Sequence, residues 1–289
     1  MSKKRILVFG ASGMLGRRVV EALSATDTEV VGLRSADCDI AEWACVSERV
    51  KAERPDVIIN CAAYTAVDKA ESDGENASRV NAQGPANLGK AAEESGALLI
   101  HVSTDYVFDG TASEPYTEDS PTAPLGVYGF TKRLGEKAVA ESGCQYVIVR
   151  TQWLYDSTGK NFFLTMLRLF ETRDAICVVD DQTGSPTYAS DLASAIVRIA
   201  ENFNGQSGIY HYSNSGECTW YDFAISIAQM ANSKTRVSPI PTSQYPTPAK
   251  RPSYSVLSKE KVVGTFGVGV PHWRDGLTRC YREWEKCER

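Results

Sequence analysis

A tyrosine and a lysine four residues apart, Tyr128 and Lys132, are the two side chains with the clearest capacity for chemistry. Positions i and i+4 share one face of an α-helix, so a helix here points a phenol and an ammonium into the same pocket. A free phenol has a pKa near ~10, and a fixed positive charge beside it favours the phenolate. The pairing predicts a proton donor whose pKa Lys132 lowers toward neutrality. The alternative is an ordinary Tyr-x-x-x-Lys on a solvated helix.

A segment with three glycines, Gly10-Ala-Ser-Gly13-Met-Leu-Gly16, follows the first apolar strand and opens a helix. Gly10 permits a tight turn, Gly13 lets the backbone approach a pyrophosphate, and Gly16 lets the helix pack closely. The helix N-terminus then faces the phosphates, because its free N–H groups and its dipole favour an anion. The segment predicts a dinucleotide site whose contacts come from the glycines and the residues between them, Ser12, Met14 and Leu15.

Two further segments extend the predicted cofactor site. After the second strand no acid is placed to bind a ribose 2′-hydroxyl, and the guanidinium of Arg34 suits a 2′-phosphate. NADPH is therefore favoured, NADH remains possible, and a solvated Arg34 is the alternative. Asp39 and Ile40 open the next helix, where Asp39 suits an N-cap as well as an adenine contact. After the third strand, small residues let the chain pass beneath a cofactor at Ala62, Ala63 and Tyr64.

The composition is that of a globular protein. The chain has 289 residues, of which 43% are hydrophobic and 23% charged, enough to bury a full core. A net charge of −5 with scattered basic residues argues against nucleic acid or an anionic membrane as partner. The apolar run at 6–9 is too short for a signal peptide or a membrane span, so we expect a cytoplasmic protein. The eight cysteines lack Cys-x-x-Cys spacing, and we expect reduced, mostly packed thiols.

Short β-branched runs alternate with helical patterns up to Arg150. Strands are predicted at 5–9, 29–32, 56–60, 97–102 and 146–150, and helices at 14–23, 42–53, 75–95 and 128–141. This alternation predicts an α/β fold, a Rossmann-type doubly wound parallel sheet. We expect the nucleotide-binding domain to comprise 1–151 and roughly 187–213, and a smaller C-terminal substrate-binding domain to comprise roughly 152–186 and 214–289.

A series of longer motifs runs through the chain in order: Asn60-Cys-Ala-Ala-Tyr-Thr-Ala-Val-Asp-Lys-Ala-Glu71, Ser103-Thr-Asp-Tyr-Val-Phe108, Tyr128-Gly-x-Thr-Lys132, Arg150-Thr-Gln-Trp-Leu-Tyr155, Asn161-Phe162, Gln182-x-Gly-x-Pro-Thr187 and Pro246-Thr-Pro-Ala-x-Arg-Pro252. The series resembles the dTDP-4-dehydrorhamnose reductase family of extended short-chain dehydrogenases, to which the Gly-x-x-Gly-x-x-Gly spacing also points. Single motifs are common among those dehydrogenases, but the series is not, and it covers nearly the whole chain.

The resemblance implies NADPH-dependent reduction of the C4 keto group of dTDP-4-dehydro-6-deoxy-L-mannose to dTDP-L-rhamnose. By position, Tyr128 protonates the C4 oxygen. Lys132 lowers the pKa of Tyr128 and binds the nicotinamide ribose. Thr104 bonds the carbonyl oxygen, so that developing charge meets fixed donors.

The same resemblance implies a set of substrate contacts. Asp105 and Tyr106 line the sugar pocket, Trp153 packs on the hexose ring, and Asn161 and Arg251 hold the nucleotide diphosphate. The alternatives are a turn residue for Asp105 and core aromatics for Tyr106 and Trp153.

One departure from the family concerns a metal ion. Some members hold a magnesium ion that joins two subunits, with a glutamate just after the last fingerprint glycine and another further on. This chain has Arg17, Arg18 and Ser190 at those places. A cation is repelled there, so we expect no metal and a monomer or weak homodimer.

Two other functions remain open. A reductase of another NDP-4-keto-6-deoxy sugar is a near alternative, because the sequence separates nucleotide base and sugar epimer poorly. A non-catalytic regulatory subunit similar to the beta subunit of methionine adenosyltransferase is a distant one. The motifs on the sugar-nucleotide side are intact, and a subunit without a substrate need not keep them.

Overall fold

Six parallel strands form the central sheet of the structure, a computed structural model that describes residues 3–288. In spatial order the strands are β10 (Gly208–His211), β5 (Tyr146–Thr151), β4 (Leu98–Thr104), β3 (Val57–Asn60), β1 (Lys4–Phe9) and β2 (Thr28–Leu33). The helices between them are α1 (Met14–Ser24), α2 (Trp43–Glu53), α3 (Val67–Ala70), α4 (Gly74–Ser78), α5 (Gly84–Ser95), α6 (Val127–Ala140) and α8 (Ala189–Asn202). The predicted α/β fold with a doubly wound parallel sheet is confirmed.

The central strands each carry a continuous apolar run because both faces of the sheet are covered there. Alternate residues of β1 point to opposite sides, so that Ile6 and Val8 join the core beneath α1 and α8, while Leu7 and Phe9 join the core beneath α2 and α5. All four side chains are almost completely buried. The continuous apolar runs in the sequence therefore reflect two cores, one on each face.

The strand order reverses beside β1. The chain proceeds from β1 outward to β2 and then returns to β3 on the other side of β1. In an open α/β sheet this reversal leaves a crevice at the carboxyl ends of the two central strands, where ligands bind. Phe9 of β1 pairs with Asn60 of β3, so the chain after each strand enters that crevice.

Several observed elements differ from the predicted ones. The helix expected over 75–95 is interrupted by a π-helical turn at Arg79–Gln83, between α4 and α5. The second helix begins at Trp43 with Glu42 as N-cap, so Asp39 is not its cap; the Asp39 carboxylate instead accepts from the Ala41 N–H at 3.0 Å. The sixth strand, β10, was not among the predicted strands.

A third core lies outside the main sheet. It gathers aromatic side chains such as Tyr155, Phe163, Phe223 and Trp273, all fully buried. The elements around it are β6 (Leu154–Tyr155), α7 (Phe162–Thr172), β7 (Ala175–Val179), β8 (Thr183–Gly184), β9 (Thr187–Tyr188), β11 (Cys218–Thr219), α9 (Trp220–Met230), β12 (Arg236–Ile240) and α11 (Trp273–Glu288). A shorter helix, α10 (Glu260–Phe266), packs near β10.

The cysteines differ from expectation at one pair. Cys38, which follows β2, and Cys45, in the first turn of α2, form a disulfide with 5.7 Å between their Cα atoms. The expectation of eight reduced thiols is therefore wrong for these two, because the turn after β2 brings them together. The other six are free cysteines. Within 3–288, no helix is both long and apolar enough to cross a membrane.

Candidate active site

The three predicted catalytic side chains meet at the carboxyl end of β4. Thr104 is the last residue of β4, and Tyr128 and Lys132 lie one helical turn apart on α6, which packs against it. Lys132 is 2% exposed, and its Nζ donates to the Val102 carbonyl at 2.7 Å. The Thr104 side chain is hydrogen-bonded to Tyr128. The structure thus places a hydroxyl, a phenol and an ammonium at one sheet edge.

The acid–base properties of Tyr128 and Lys132 differ from the expectation. Burial raises the pKa of Tyr128 to about 12, and the hydrogen bond with Thr104 opposes that shift. Burial lowers the pKa of Lys132 to about 8, and Glu136 opposes it. The predicted lowering of the Tyr128 pKa by Lys132 is therefore wrong for this structure, because enclosure of the phenol dominates. Tyr128 is held in its protonated form, which is the form that donates.

Helix α6 is fixed by contacts at its first turn. The Glu71 carboxylate accepts from the Val127 N–H at 2.9 Å and so satisfies a donor at the helix N-terminus. Gly129 allows the helix to lie on the chain after β4, since a Cβ there would approach the Tyr106 carbonyl oxygen to 2.1 Å. These contacts fix the position of Tyr128 relative to Thr104.

A buried ion pair lies below the same helix. The Glu136 carboxylate receives two hydrogen bonds from Arg150, each 2.8 Å, and one from the Ser103 hydroxyl at 2.7 Å. Both charged side chains are at most 2% exposed. Because Glu136 lies one turn beyond Lys132, its negative charge favours the protonated lysine, which burial disfavours.

The glycine segment is shaped to take the phosphates of a dinucleotide. Gly10 has a φ of 77°, and a Cβ there would meet the Ala62 backbone nitrogen at 2.6 Å. A Cβ on Gly16 would approach the Gly10 carbonyl oxygen to 2.1 Å. Gly13 is the N-cap residue of α1 and gives it no side-chain cap, so the first-turn N–H groups remain available to an anion. Ser12, Met14 and Leu15 lie in this same turn. The geometry fits a pyrophosphate.

The other predicted cofactor residues follow the strands β2 and β3. Arg34 is exposed and donates two hydrogen bonds of 2.8 Å to Asp37, so its guanidinium is already oriented. Asp39 accepts from Arg79 at 2.7 Å, and Ile40 is buried beneath Gly84. Side chains hold the backbone of the segment after β3, which contains Ala62, Ala63 and Tyr64. The Asn60 side chain accepts from the Ala62 N–H. The Asn81 side chain accepts from the Tyr64 N–H and donates to the Tyr64 carbonyl.

A cavity of 660 Å³ is connected to the catalytic residues through Tyr106, which lines it and whose ring contacts that of Tyr128 with 5.4 Å between centroids. Its lining includes Tyr106, Met166, Ile176, Gln182, Trp220 and Arg251. Two of these, Tyr106 and Arg251, are predicted substrate contacts, and the structure brings them together. Arg251 is paired with Asp68 of α3 through bonds of 2.9 and 3.1 Å, which fixes the orientation of its guanidinium.

Three predicted substrate contacts lie elsewhere. Asp105 is 1% exposed and accepts from Thr104 at 3.1 Å, so it lies behind the catalytic hydroxyl. Trp153 stacks on Trp220 with 3.6 Å between ring centroids, and in the described chain Trp220 rather than Trp153 lines the cavity. Asn161 is the N-cap of α7; its oxygen accepts from Leu164, and its amide donates to two carbonyls of the preceding loop.

Comparison with known proteins gives the family. The family model described as "RmlD substrate binding domain" matches residues 4–286. A dTDP-4-dehydrorhamnose reductase of Burkholderia thailandensis is 42% identical over 96% of this chain and 98% of its own length. The chain belongs to the dTDP-4-dehydrorhamnose reductase family. The resemblance inferred from the motif series is confirmed.

Two further members of the comparison bear on cofactor and substrate. A crystal structure of dTDP-4-dehydrorhamnose reductase from Bacillus anthracis in complex with NADP has a TM-score of 0.93 and 40% identity, covering 98% of this chain and 100% of that one. A probable dTDP-4,6-dihydroxy-2-methyloxan-3-one 4-ketoreductase of Streptomyces antibioticus is 40% identical over 96% of this chain and 94% of its own length. NADP is thus the cofactor of a close structural neighbour.

The magnesium site that some members of this family carry does not fit the side chains present here. Arg18 donates to both Asp156 oxygens and also bonds Ser157 and Glu283. A guanidinium therefore occupies the centre of this acidic group, linking α1 to α11. Ser190, at the start of α8, hydrogen-bonds to Tyr188, which donates to Glu283, and it contributes no carboxylate. Over residues 3–288, no group of three potential metal-ligating side chains is found.

Sequence reasoning missed the residues that support the catalytic ones. Glu71 lies in a quoted motif, but its contact with α6 spans 56 residues. Glu136 carried a visible signal, because Tyr128, Lys132 and Glu136 follow one another at i+4 spacing on a single face of α6. Ser255 carried none: it reaches the site through a loop of the C-terminal part and bonds to Asp105.

Proposed function

We propose that this protein catalyses the NADPH-dependent reduction of the C4 keto group of dTDP-4-dehydro-6-deoxy-L-mannose, giving dTDP-L-rhamnose. The observation that carries the proposal is the meeting of Thr104, Tyr128 and Lys132 at the end of β4, beside a glycine turn shaped for a dinucleotide. Members of this family act on that substrate class. A regulatory subunit has no need of this constellation.

Each catalytic side chain has a distinct task in the proposed reaction. Tyr128 donates its phenolic proton to the C4 oxygen, since its raised pKa keeps it protonated. Lys132 bonds ribose hydroxyls of the cofactor and offsets the charge that develops on the phenol. Thr104 orients the carbonyl oxygen. When bound, NADPH supplies the hydride that reduces the carbonyl carbon.

The remaining predicted contacts divide between cofactor and substrate. We infer that Gly10, Gly13 and Gly16, with Ser12, Met14 and Leu15, bind the pyrophosphate, and that Arg34 binds the 2′-phosphate. Support comes from the open first turn of α1 and from the exposed, oriented guanidinium of Arg34. Asp39, Ile40, Ala62, Ala63 and Tyr64 border the same crevice.

We infer that residues 152–186 and 214–289 form the sugar-nucleotide-binding domain. The 660 Å³ cavity supports this assignment, because it lies between Tyr106 of the sheet edge and apolar residues of α7 and β7. The indole ring of Trp220 is suited to stack on a nucleotide base, and the guanidinium of Arg251 is suited to bind the phosphates. Trp153 then acts by supporting Trp220, and Asn161 by capping α7.

The nearest alternative is reduction of another NDP-4-keto-6-deoxy sugar, which the Streptomyces antibioticus relative favours. The decisive experiment follows NADPH oxidation by purified protein with dTDP- and UDP-linked 4-keto-6-deoxy sugars, each with product analysis by NMR. We expect the highest kcat/KM with dTDP-4-dehydro-6-deoxy-L-mannose. Tyr128→Phe serves as the inactive control. A clear preference for another base or epimer would select the alternative.

Assembly, partners and location belong to the proposal as well. The Arg18 cluster supports a monomer or weak homodimer without a metal bridge. The net charge of −5 supports the absence of a nucleic-acid partner, and the cytoplasm is the location where a biosynthetic reductase meets NADPH.

A further inference from the structure

The Thr104 hydroxyl has one hydrogen, and that hydrogen is directed at a carboxyl group. Thr104 Oγ1 donates to Asp105 Oδ1 at 3.1 Å and accepts from the Tyr106 N–H at 3.2 Å. A hydroxyl offers one donor and two lone pairs. While that hydrogen lies on Asp105, none is left for the Tyr128 oxygen, to which Thr104 can also bond, or for a substrate carbonyl oxygen.

Asp105 is held in place by burial and by the loop that carries Ser255. The carboxyl is 1% exposed, and the single Ser255 hydroxyl hydrogen can be donated either to it or to Gln152 Oε1, 3.0 Å from Ser255 Oγ. Asp105 Oδ2 has no partner among the described residues. An ionised carboxylate only accepts hydrogen bonds, whereas a protonated carboxyl also donates. The Thr104–Asp105 bond therefore depends on the Asp105 proton.

We propose that Asp105 is a positioning residue that acts through Thr104. Protonated Asp105 releases the Thr104 hydrogen toward the substrate carbonyl oxygen, and ionised Asp105 withdraws it. The inference rests on the function proposed above. The step exchanges one proton between Asp105 and solvent, and no other covalent bond changes. When Asp105 gains the proton, the charge-assisted hydrogen bond from Thr104 is replaced by a weaker neutral bond or by one of reversed direction.

The surroundings of Asp105 place its protonation equilibrium near neutral pH. Burial raises the pKa of Asp105 to about 6, and the bonds from Ser255 and Thr104 oppose the shift. The titratable neighbours that interact with it are Tyr106 and, from α6, Tyr128; burial raises the pKa of both phenols, so both stay neutral in this range.

Two further groups complete the surroundings of this cluster. Gln152, whose Oε1 accepts from the Ser255 hydroxyl, carries no charge. Lys132, one turn beyond Tyr128, has its pKa lowered to about 8 by burial, so it keeps its charge near pH 6. The proton that changes near pH 6 in this cluster is therefore the one on Asp105.

The test is the pH dependence of kcat with the best keto-sugar substrate. We expect kcat to fall roughly ten-fold or more as pH rises through the Asp105 pKa, since one oxyanion donor contributes ~10²–10³ while Tyr128 remains. Asp105→Asn should remove this fall. Ser255→Ala removes a bond that lowers the Asp105 pKa, so the midpoint should move to higher pH. Ser255→Thr keeps a hydroxyl and should restore the original midpoint.

A matched control is Ser213→Ala, another buried serine, whose hydroxyl donates to the Asn214 carbonyl; its midpoint should not move. An Asp105→Asn profile like that of the original chain, or a Ser255→Ala midpoint that stays or moves lower, overturns the proposal.

A second readout does not depend on turnover. With ¹³C-carboxyl aspartate, the NMR resonance missing in Asp105→Asn should titrate near pH 6 and at higher pH in Ser255→Ala. If no keto sugar is reduced but this titration is found, the proposed function fails and the proton exchange stands. If the resonance does not titrate so, the positioning role fails whatever the activity.

Discussion

Glu136 and Arg150 form an ion pair beneath the helix that carries Tyr128 and Lys132, with 2.8 Å between Glu136 Oε2 and Arg150 Nη2. Both side chains are almost completely buried, and Ser103 adds a further hydrogen bond to the carboxylate. A buried charge that loses its partner stays uncompensated in a medium of low dielectric constant. The pair therefore ties α6 to β5 directly below the catalytic lysine.

The first prediction concerns this pair and stability. Glu136→Ala should lower the free energy of unfolding by ~3–5 kcal/mol, because it leaves the Arg150 guanidinium buried without a counter-ion. Urea denaturation followed by circular dichroism measures the change. Glu141→Ala is the matched control, since Glu141 is an exposed carboxylate at the end of the same helix and should change stability by less than ~1 kcal/mol. Equal losses in the two variants would contradict the role of the buried pair.

The predicted fold succeeded where the pattern of hydrophobic residues is decisive. Strands β3 and β4 contain the apolar runs 57–59 and 98–100 because both faces of the sheet are covered there, and those runs are visible in the sequence. The π-helical turn at Arg79–Gln83 was not predicted, because helical spacing continues through it. Strand β10 was missed as well: it is short, lies at the sheet edge, and is placed there by pairing with β5 rather than by its own pattern.

The sequence predicts the part of the site whose residues are close together in the chain. It does not predict the part in which tertiary contacts determine which side chains meet. Tyr128 and Lys132 share a face because of their spacing alone. The ion pair of Arg251 with Asp68 joins residues 183 positions apart, and no local pattern indicates it. Burial determines the pKa of Tyr128, and burial of a phenol is a property of the folded chain, so the expected direction was wrong.

A second prediction separates chemistry from cofactor binding. Tyr128→Phe removes the proton donor and keeps the ring, so kcat should fall by ~10²–10⁴ while NADPH affinity is retained. Steady-state kinetics and fluorescence titration of NADPH measure the two quantities. Lys132→Met should impair both, because that ammonium is assigned to the ribose as well as to the phenol. Near-normal turnover of Tyr128→Phe with the keto sugar would identify the phenol as packing only.

A third prediction tests the assignment of the 2′-phosphate. Arg34→Ala should weaken NADPH roughly ten-fold to a hundred-fold and leave NADH nearly unchanged, since a hydrogen bond to a charged group contributes ~1.5–3 kcal/mol. The Kd values of both cofactors, from calorimetry, give the ratio. Arg198→Ala, an exposed arginine on α8, is the control and should leave both affinities unaltered. Equal weakening of NADPH and NADH would assign Arg34 to another contact.

A fourth prediction concerns the absence of a metal requirement. The Arg18 guanidinium lies among Asp156, Ser157 and Glu283, where a second cation would be repelled. Turnover and sedimentation should therefore be indifferent to added EDTA. Parallel titrations with EDTA and with magnesium chloride, at constant ionic strength, measure both. A fall in activity or in sedimentation coefficient with EDTA alone would show that the protein uses a metal ion.

The last prediction concerns Asp105 and the pH dependence of stability. Burial raises the Asp105 pKa from 3.8 to about 6, so between these values the folded chain keeps a proton that the unfolded chain has lost. The native chain therefore loses stability as pH rises through that window, and the loss persists above it. Asp105→Asn removes this cost. Its free energy of unfolding relative to the native chain should rise between about pH 4 and about pH 7.5 by roughly 2–3 kcal/mol, at ~1.4 kcal/mol for each pKa unit. Guanidinium unfolding at both pH values measures it, with the exposed loop residue Asp119 replaced by Asn as the control. A difference between Asp105→Asn and the native chain that is the same at both pH values would mean that this carboxyl ionises as freely in the folded chain as in the unfolded one.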